Sequence, residues 1–301
     1  MNLFAQHAIA GQDVTIELFA DEAKNIRNVE TGHFWHYIGI VAVPTEKKEA
    51  LLRRLLDARG GCDSEIKSND LDHLPKRRTA EQWCRILLDD HAVGSIYLNV
   101  VGINRTLLNS RAFGGEQFEP VYNRFFRSAV LYGCKRFFSG RRVVISRLWH
   151  DEGDMEHHEY FPWHVLWRLD QDPSIECQTQ RVDFCSSDHR KPRGCPESHL
   201  LQFVDLVLGL MVQLLDDTSR NRNRCATARL LAPLLARMMN EPNNPNSRYG
   251  HKDKYLISFF PRSALADAEL FDQLARARSG FYLQRPLIQI ERESGQLHLF
   301  G

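Results

Sequence analysis

Strand-type and helix-type segments alternate along most of this chain, and that alternation confines it to α/β architectures. The first strand-type run, Val14-Thr15-Ile16-Glu17-Leu18-Phe19-Ala20, ends at two acids, Asp21 and Glu22. His33 to Pro44 (HFWHYIGIVAVP) reads as a second strand ended by its proline. Thr45 then caps a helical pattern through Ala58, which Gly60-Gly61 stops. Further helices are expected at Thr79 to Asp90, Pro120 to Tyr132 and Glu156 to Leu169, with strands at Gly94 to Val101, Arg142 to Leu148 and Ile175 to Cys185. A long helix begins after Pro196 and closes the series near Asp217. The expectation is an α/β domain with a mixed sheet over residues 1–217. Residues 218–301 read as a C-terminal extension packing on it, helical at Ala226 to Asn240 and then broken by the polar loop Asn240 to Asn246.

Composition narrows the function classes. In 301 residues, 39 Lys+Arg against 38 Asp+Glu leave a net charge of +1, so no global bias toward nucleic acid or membrane exists and any such partner must be met by local clusters. The apolar stretch Phe203 to Leu215 is interrupted by Asp205 and Gln213 and is shorter than the ~20 residues a bilayer requires, so no membrane span is expected. Seven scattered cysteines and a start without a basic region ahead of an apolar core suggest a reducing cytoplasm.

The acids carry the chemistry. Asp21-Glu22 closes the first strand, Asp151-Glu152 lies past Val143-Val144-Ile145, and Asp205 interrupts the run Leu200 to Leu208. A lone ionised carboxylate amid apolar residues is costly to bury, so Asp205 needs a partner, a proton or a cation. Its helical neighbours are Leu201, Gln202, Leu208 and Gly209, and Glu197 stands two turns earlier on a shared face. Hard divalent ions take oxygen ligands, and two-metal phosphodiester hydrolysis needs carboxylates from several elements, which Asp21, Asp151 and Asp205 are placed to supply. Acids at strand ends also cap helices and form turns, so the joint placement of the three carries the reading.

Together the strand ending in Asp21-Glu22, Gly39 in the next apolar run, Glu65-Ile66-Lys67, Asp151-Glu152, and Glu197-Ser198 leading into Leu201-Gln202-Phe203-Val204-Asp205 resemble the bacterial family catalogued as domain-of-unknown-function 3800 (DUF3800), over roughly residues 14 to 215. The resemblance implies a ribonuclease H-like fold and a metal-dependent nuclease or phosphodiesterase using Mg2+ or Mn2+, often beside mobile elements or defence systems. The family's opening acidic motif falls on Asp21 and Glu22, its Glu-x-Lys segment on Glu65 and Lys67, and its closing Gln-x-x-Asp on Gln202 and Asp205. This chain departs from the pattern at Ala23-Lys24, where Ser-Gly is usual, and Asp151 lies beyond Arg147-Leu148-Trp149-His150 rather than directly in the apolar strand. The implied roles are metal ligation by Asp21, Asp151 and Asp205, ligation or general base for Glu65, and a phosphate contact for Lys67. Glu22, Glu197 and Gln202 would support the ligands.

Other constellations compete. Cys185 with His189 and Cys195 with His199 form two Cys-x3-His units, an alternative Zn2+ site that would make this a zinc-stabilised interaction domain. His150, Asp151 and Glu152 with His157, His158 and His164 suit either a transition metal or a polar helix face. No Gly-x-Ser-x-Gly elbow and no phosphate loop occur, which argues against serine hydrolase and Walker-type chemistry. Basic residues cluster at Arg105, Arg111, Arg124, Arg127, Lys135, Arg136, Arg141, Arg142 and Arg147, and again at Arg220, Arg222, Arg224 and Arg229. Phe125, Phe126, Phe137 and Phe138 interleave with the first cluster, in pairs that suit a core. Arginine clusters near an acidic site suit a nucleic-acid phosphodiesterase. The rival from another class is a non-catalytic subunit of the same fold that binds nucleic acid or a protein, as a homo-oligomer or with a neighbour-encoded partner.

Overall fold

The computed structural model describes residues 13–108, 119–240 and 254–260. In chain order the elements are β1 (Val14–Arg27), β2 (Phe34–Pro44), α1 (Thr45–Asp57), α2 (Leu74–Val93), β3 (Tyr97–Asn104), α3 (Glu119–Phe137), β4 (Val143–Asp151), a 3₁₀ turn (Asp154–His157), α4 (Phe161–Leu169), β5 (Ile175–Cys177), β6 (Asp183–Cys185), α5 (Ser198–Asp216), α6 (Arg222–Arg229), α7 (Ala232–Asn240) and β7 (Tyr255–Phe260). The fold is the mixed-sheet α/β arrangement expected from the sequence. One sheet runs β5-β4-β1-β2-β3-β7, with β6 also pairing β4, and only β2 is antiparallel to its neighbours.

Helices cover both faces of the sheet. On one face α5 lies across β1 and β2, with α1, α2, α6 and α7 around it; on the other lie α3 and α4. Alternate residues of β1 therefore feed two separate cores: Phe19 joins the α5 side, while Ile16, Leu18 and Ala20 join the α3 and α4 side. Enclosure explains why α5 is apolar nearly all round, long and apolar enough to cross a membrane yet mostly buried inside the protein. Each fully buried Leu, Val or Phe on it contributes about 1.5–3 kcal/mol. Asp205 and Leu214 are its only residues that are not buried.

Several expected boundaries move. β1 does not stop at Ala20: it continues to Arg27 because pairing with β2 persists through Asp21↔Gly39 and Ala23↔Tyr37, then shifts register before Ile26↔Trp35. Asn25 takes a positive φ of 54° within that shift, a backbone state asparagine tolerates. The helix expected over Glu156 to Leu169 is split into the 3₁₀ turn and α4, since Pro162 lacks an N–H and fits only a helix's first turn. Ile175 to Cys185 yields two short strands, and Ala226 to Asn240 yields parts of α6 and α7 separated at Leu230-Leu231.

Beyond residue 217 the chain does more than cover the domain. Helices α6 and α7 pack on α5, and β7, a strand not expected from the sequence, pairs in parallel with β3 from Leu98↔Tyr255 to Ile103↔Phe260. The extension thus completes an edge of the same sheet.

Candidate active site

Two of the three key acids lie where the parallel pairing of β1 with β4 ends. The last pair is Ala20↔His150, which sets Asp21 and Asp151 side by side where the two parallel strands part, Asp151 at the carboxyl end of β4. Asp21 is buried in mid-strand, opposite Gly39 of β2. The missing side chain at Gly39 lets α5 come close: a Cβ there would meet Leu208 at 3.3 Å. Leu208 is one turn beyond Asp205, so that approach carries Asp205 over the strand ends. Gly209 does the same for the 65–68 segment, since a Cβ on it would lie 2.7 Å from Ser68 Cβ.

The carboxylates are close enough to interact. Asp21 and Asp205 each act on the proton affinity of the other. Burial, with Asp205 and then Asp151 nearby, holds the Asp21 carboxyl well above the usual carboxylate range. Burial likewise pushes Asp205 up to about 7; Lys67 opposes this while Asp151 and Glu65 add to it. Asp151 is raised by burial, against the pull of the Ser187 and Glu152 amides on its Oδ1, at 2.8 and 3.0 Å.

Glu65 and Lys67 join the same crevice. Lys67 Nζ lies 3.1 Å from Glu65 Oε1, and Ser187 Oγ donates to that oxygen at 2.8 Å. Burial alone would lower the Lys67 ammonium, but Glu65 beside it and Asp205 and Asp151 beyond raise it. Gln202 ties the arrangement together. Fully buried one turn before Asp205, its Oε1 accepts from the Ile66 amide at 3.0 Å and from Arg59 at 3.2 Å, while its Nε2 donates to the Ser187 carbonyl. One amide thereby clasps the segment bearing Glu65 and Lys67 to the segment capping Asp151.

Two expected supporting residues stand elsewhere. The Glu22 side chain points to the opposite face of the sheet, because neighbours on a strand alternate. There it pairs with Lys24 at 2.5 Å and approaches His150 and His36 at 3.9 and 4.0 Å. Its support for Asp21 comes from its main chain, which donates to Asp21 Oδ1 at 2.7 Å. Glu197 lies eight residues, about 12 Å of helix axis, from Asp205. It shares Lys48 with Glu17, at 3.1 and 2.8 Å.

Sequence reasoning missed Ser187 and Arg59. Ser187 lay within the supposed zinc unit, and nothing in the sequence marks Arg59, ahead of Gly60-Gly61, as turning inward to Gln202 and the Cys62 carbonyl. The zinc quartet itself is not assembled. Cys185 and Cys195 are joined in a disulfide, His189 faces Asp63 and Gln202, and His199 faces Arg59. His150 bonds Tyr122 on the far face, while His157 and His158 border a cavity of about 400 Å3 with Lys24, His36 and Arg105.

Among the described residues no three His, Cys, Asp or Glu side chains are drawn within reach of one ion. Raised proton affinity on Asp21 and Asp205, together with the Lys67 ammonium, moderates the charge they concentrate. The donor set is nonetheless entirely carboxylate oxygen, which fits Mg2+ or Mn2+ rather than a thiolate-seeking metal.

No family model and no curated protein matches this chain. Among solved structures it is similar to a chain of the PCNA:RNase HII complex from Archaeoglobus fulgidus, with 12% identity over 73% of this chain and 89% of that one and a TM-score of 0.38.

Proposed function

We propose that this protein is a metal-dependent hydrolase of phosphodiester bonds in nucleic acid, with Asp21, Asp151 and Asp205 holding the metal. The observation that carries this reading is the convergence of three acids from β1, β4 and α5 at one crevice, close enough for Asp151 to raise the proton affinity of both Asp21 and Asp205. Such crowding is unfavourable for the fold by itself and is the state a bound cation would relieve. Mg2+ or Mn2+, when bound, would supply Lewis-acid stabilisation of the phosphoryl oxygens. In this reading Glu65 would accept a proton from an attacking water, and Lys67 would face a phosphate. Gln202, Ser187 and the Glu22 amide hold the acids in position.

The test is cleavage of labelled single- and double-stranded DNA and RNA with Mg2+ or Mn2+. Activity is expected to require the metal and to be lost in Asp21→Ala and Asp205→Ala. Full activity in both variants refutes the assignment. Metal-independent binding of nucleic acid without cleavage of any substrate returns the protein to the rival reading, a binding subunit of the same fold.

A further inference from the structure

The connection that leaves β4 at Asp151 passes through the 3₁₀ turn and opens α4, whose two faces differ sharply. Phe161, Pro162, Val165, Leu166 and Leu169 are buried in the core under α3. The outward face instead presents Tyr160, Trp163 and Trp167, which are 54%, 56% and 55% exposed. Three large aromatics left in water over eight residues form a contiguous apolar surface of the kind that marks a binding face.

Their surroundings are cationic. Arg168 stacks over Trp167 at 4.9 Å and Arg181 over Trp163 at 5.9 Å. Rings follow one another along the face: His158 to Tyr160 at 6.1 Å, Tyr160 to His164 at 6.5 Å, His164 to Trp167 at 5.7 Å. His158 also borders the cavity lined by Lys24, His36, Arg105 and Asp154, so the series starts at a polar pocket. From α3, Arg127 lies near enough to Arg168 and Arg124 for burial and their charges to lower its proton affinity, and burial with Arg168 and Arg127 lowers that of His164. Concentrated positive charge beside flat exposed rings complements a polyanion with planar units. Glu159 sits beside Tyr160 at the start of the helix, which places the phosphate-holding half toward Arg168 and Arg127.

We infer that the outward face of α4, with Tyr160, Trp163 and Trp167 as stacking surfaces and Arg127, Arg168 and Arg181 for the phosphates, binds single-stranded nucleic acid. The inference rests on the proposed nuclease reading and deepens it by naming single strands as the substrate class. Unpaired bases stack on aromatic side chains with little regard to sequence, whereas a duplex hides those faces.

The experiment measures anisotropy of fluorescein-labelled oligo(dT) and oligo(U), and of a duplex, in EDTA so that nothing is cleaved. The wild-type protein is expected to bind the single strands, and Trp163→Ala with Trp167→Ala to weaken that binding about ten-fold or more. Trp163→Phe with Trp167→Phe should recover most of it, which separates stacking from damage to the fold. Unchanged single-strand affinity in the alanine variant, or preference for the duplex, overturns the inference. So does a change from oligomer to monomer with nucleic-acid affinity intact, because the face would then be a protein interface. Weakened binding in the alanine variant of a protein that never cleaves supports the track while removing the nuclease reading.

Discussion

Asp205→Asn should stabilise the metal-free protein, and do so only above mildly acidic pH. The substitution keeps size and hydrogen bonding while removing the charge that α5 holds against Asp21, Asp151 and Glu65. A carboxyl moved from its ordinary 3.8 to about 7 binds its proton more tightly in the folded state than in the unfolded one. Stability is therefore full below pH 4, falls as pH rises from 4 to 7, and is level above that. At about 1.4 kcal/mol per pH unit the full effect is about 4 kcal/mol, and the partial exposure of Asp205 reduces the expectation to about 2–4 kcal/mol. Urea denaturation followed by circular dichroism, in EDTA from pH 4 to 8, measures it as the difference between variant and wild type. Other groups that titrate in this range, such as His36 and His199, both lowered to about 4 chiefly by burial, cancel in that difference. Added Mn2+ should then raise the stability of the wild type at pH 8 and leave the variant unmoved. A difference independent of pH, or a variant less stable than wild type at pH 8, would refute the electrostatic reasoning.

Three further outcomes follow from the same geometry. Gln202→Ala removes the partner of the Ile66 amide and the Ser187 carbonyl, and is expected to cost about 2–4 kcal/mol, with faster amide exchange at Ile66 as the local readout. Gly209→Ala gains about 1 kcal/mol of helix propensity but forces Ser68 away, so a net loss of about 1–2 kcal/mol in thermal melts and a slower cleavage rate are expected. Glu197→Gln, which breaks only the contact to Lys48, should leave metal-stimulated cleavage within about two-fold of wild type and cost about 1 kcal/mol or less in denaturation.

Much of the frame was readable because strong local signals agree with the tertiary outcome. Thr45 after Pro44 starts α1 where expected, and the apolar run after Pro196 became the central helix. The acids of β1, β4 and α5 were legible as a group because each interrupts or ends an apolar run, a place where charge requires a reason. Glu22 supports Asp21 through its amide and not its side chain, because sequence adjacency to Asp21 means the opposite face in a strand that continues. Glu197 was misassigned because a shared helical face does not shorten the axial distance, and Lys48 on α1, invisible as a partner in the sequence, claims its carboxylate. Ser187 and Arg59 were unreadable for a related reason: both act through contacts that exist only once Gln202 has brought two loops to one helix. β7 was missed because a six-residue apolar run carries little information until the edge it joins is known.

That strand has a bearing on how the chain reaches its final state. By the time Asp216 is made, β1 to β6 and α5 are all present, and the acids have every element that positions them. The outer edge of β3 still lacks its neighbour, which comes with Tyr255–Phe260, some forty residues later. During ribosomal synthesis an intermediate with an assembled crevice and one open row of backbone donors and acceptors would exist, and such an edge invites pairing with other chains. Docking of β7 pairs that edge, so the strand at the opposite end of the sheet from β4 decides when β3 stops being open to other chains.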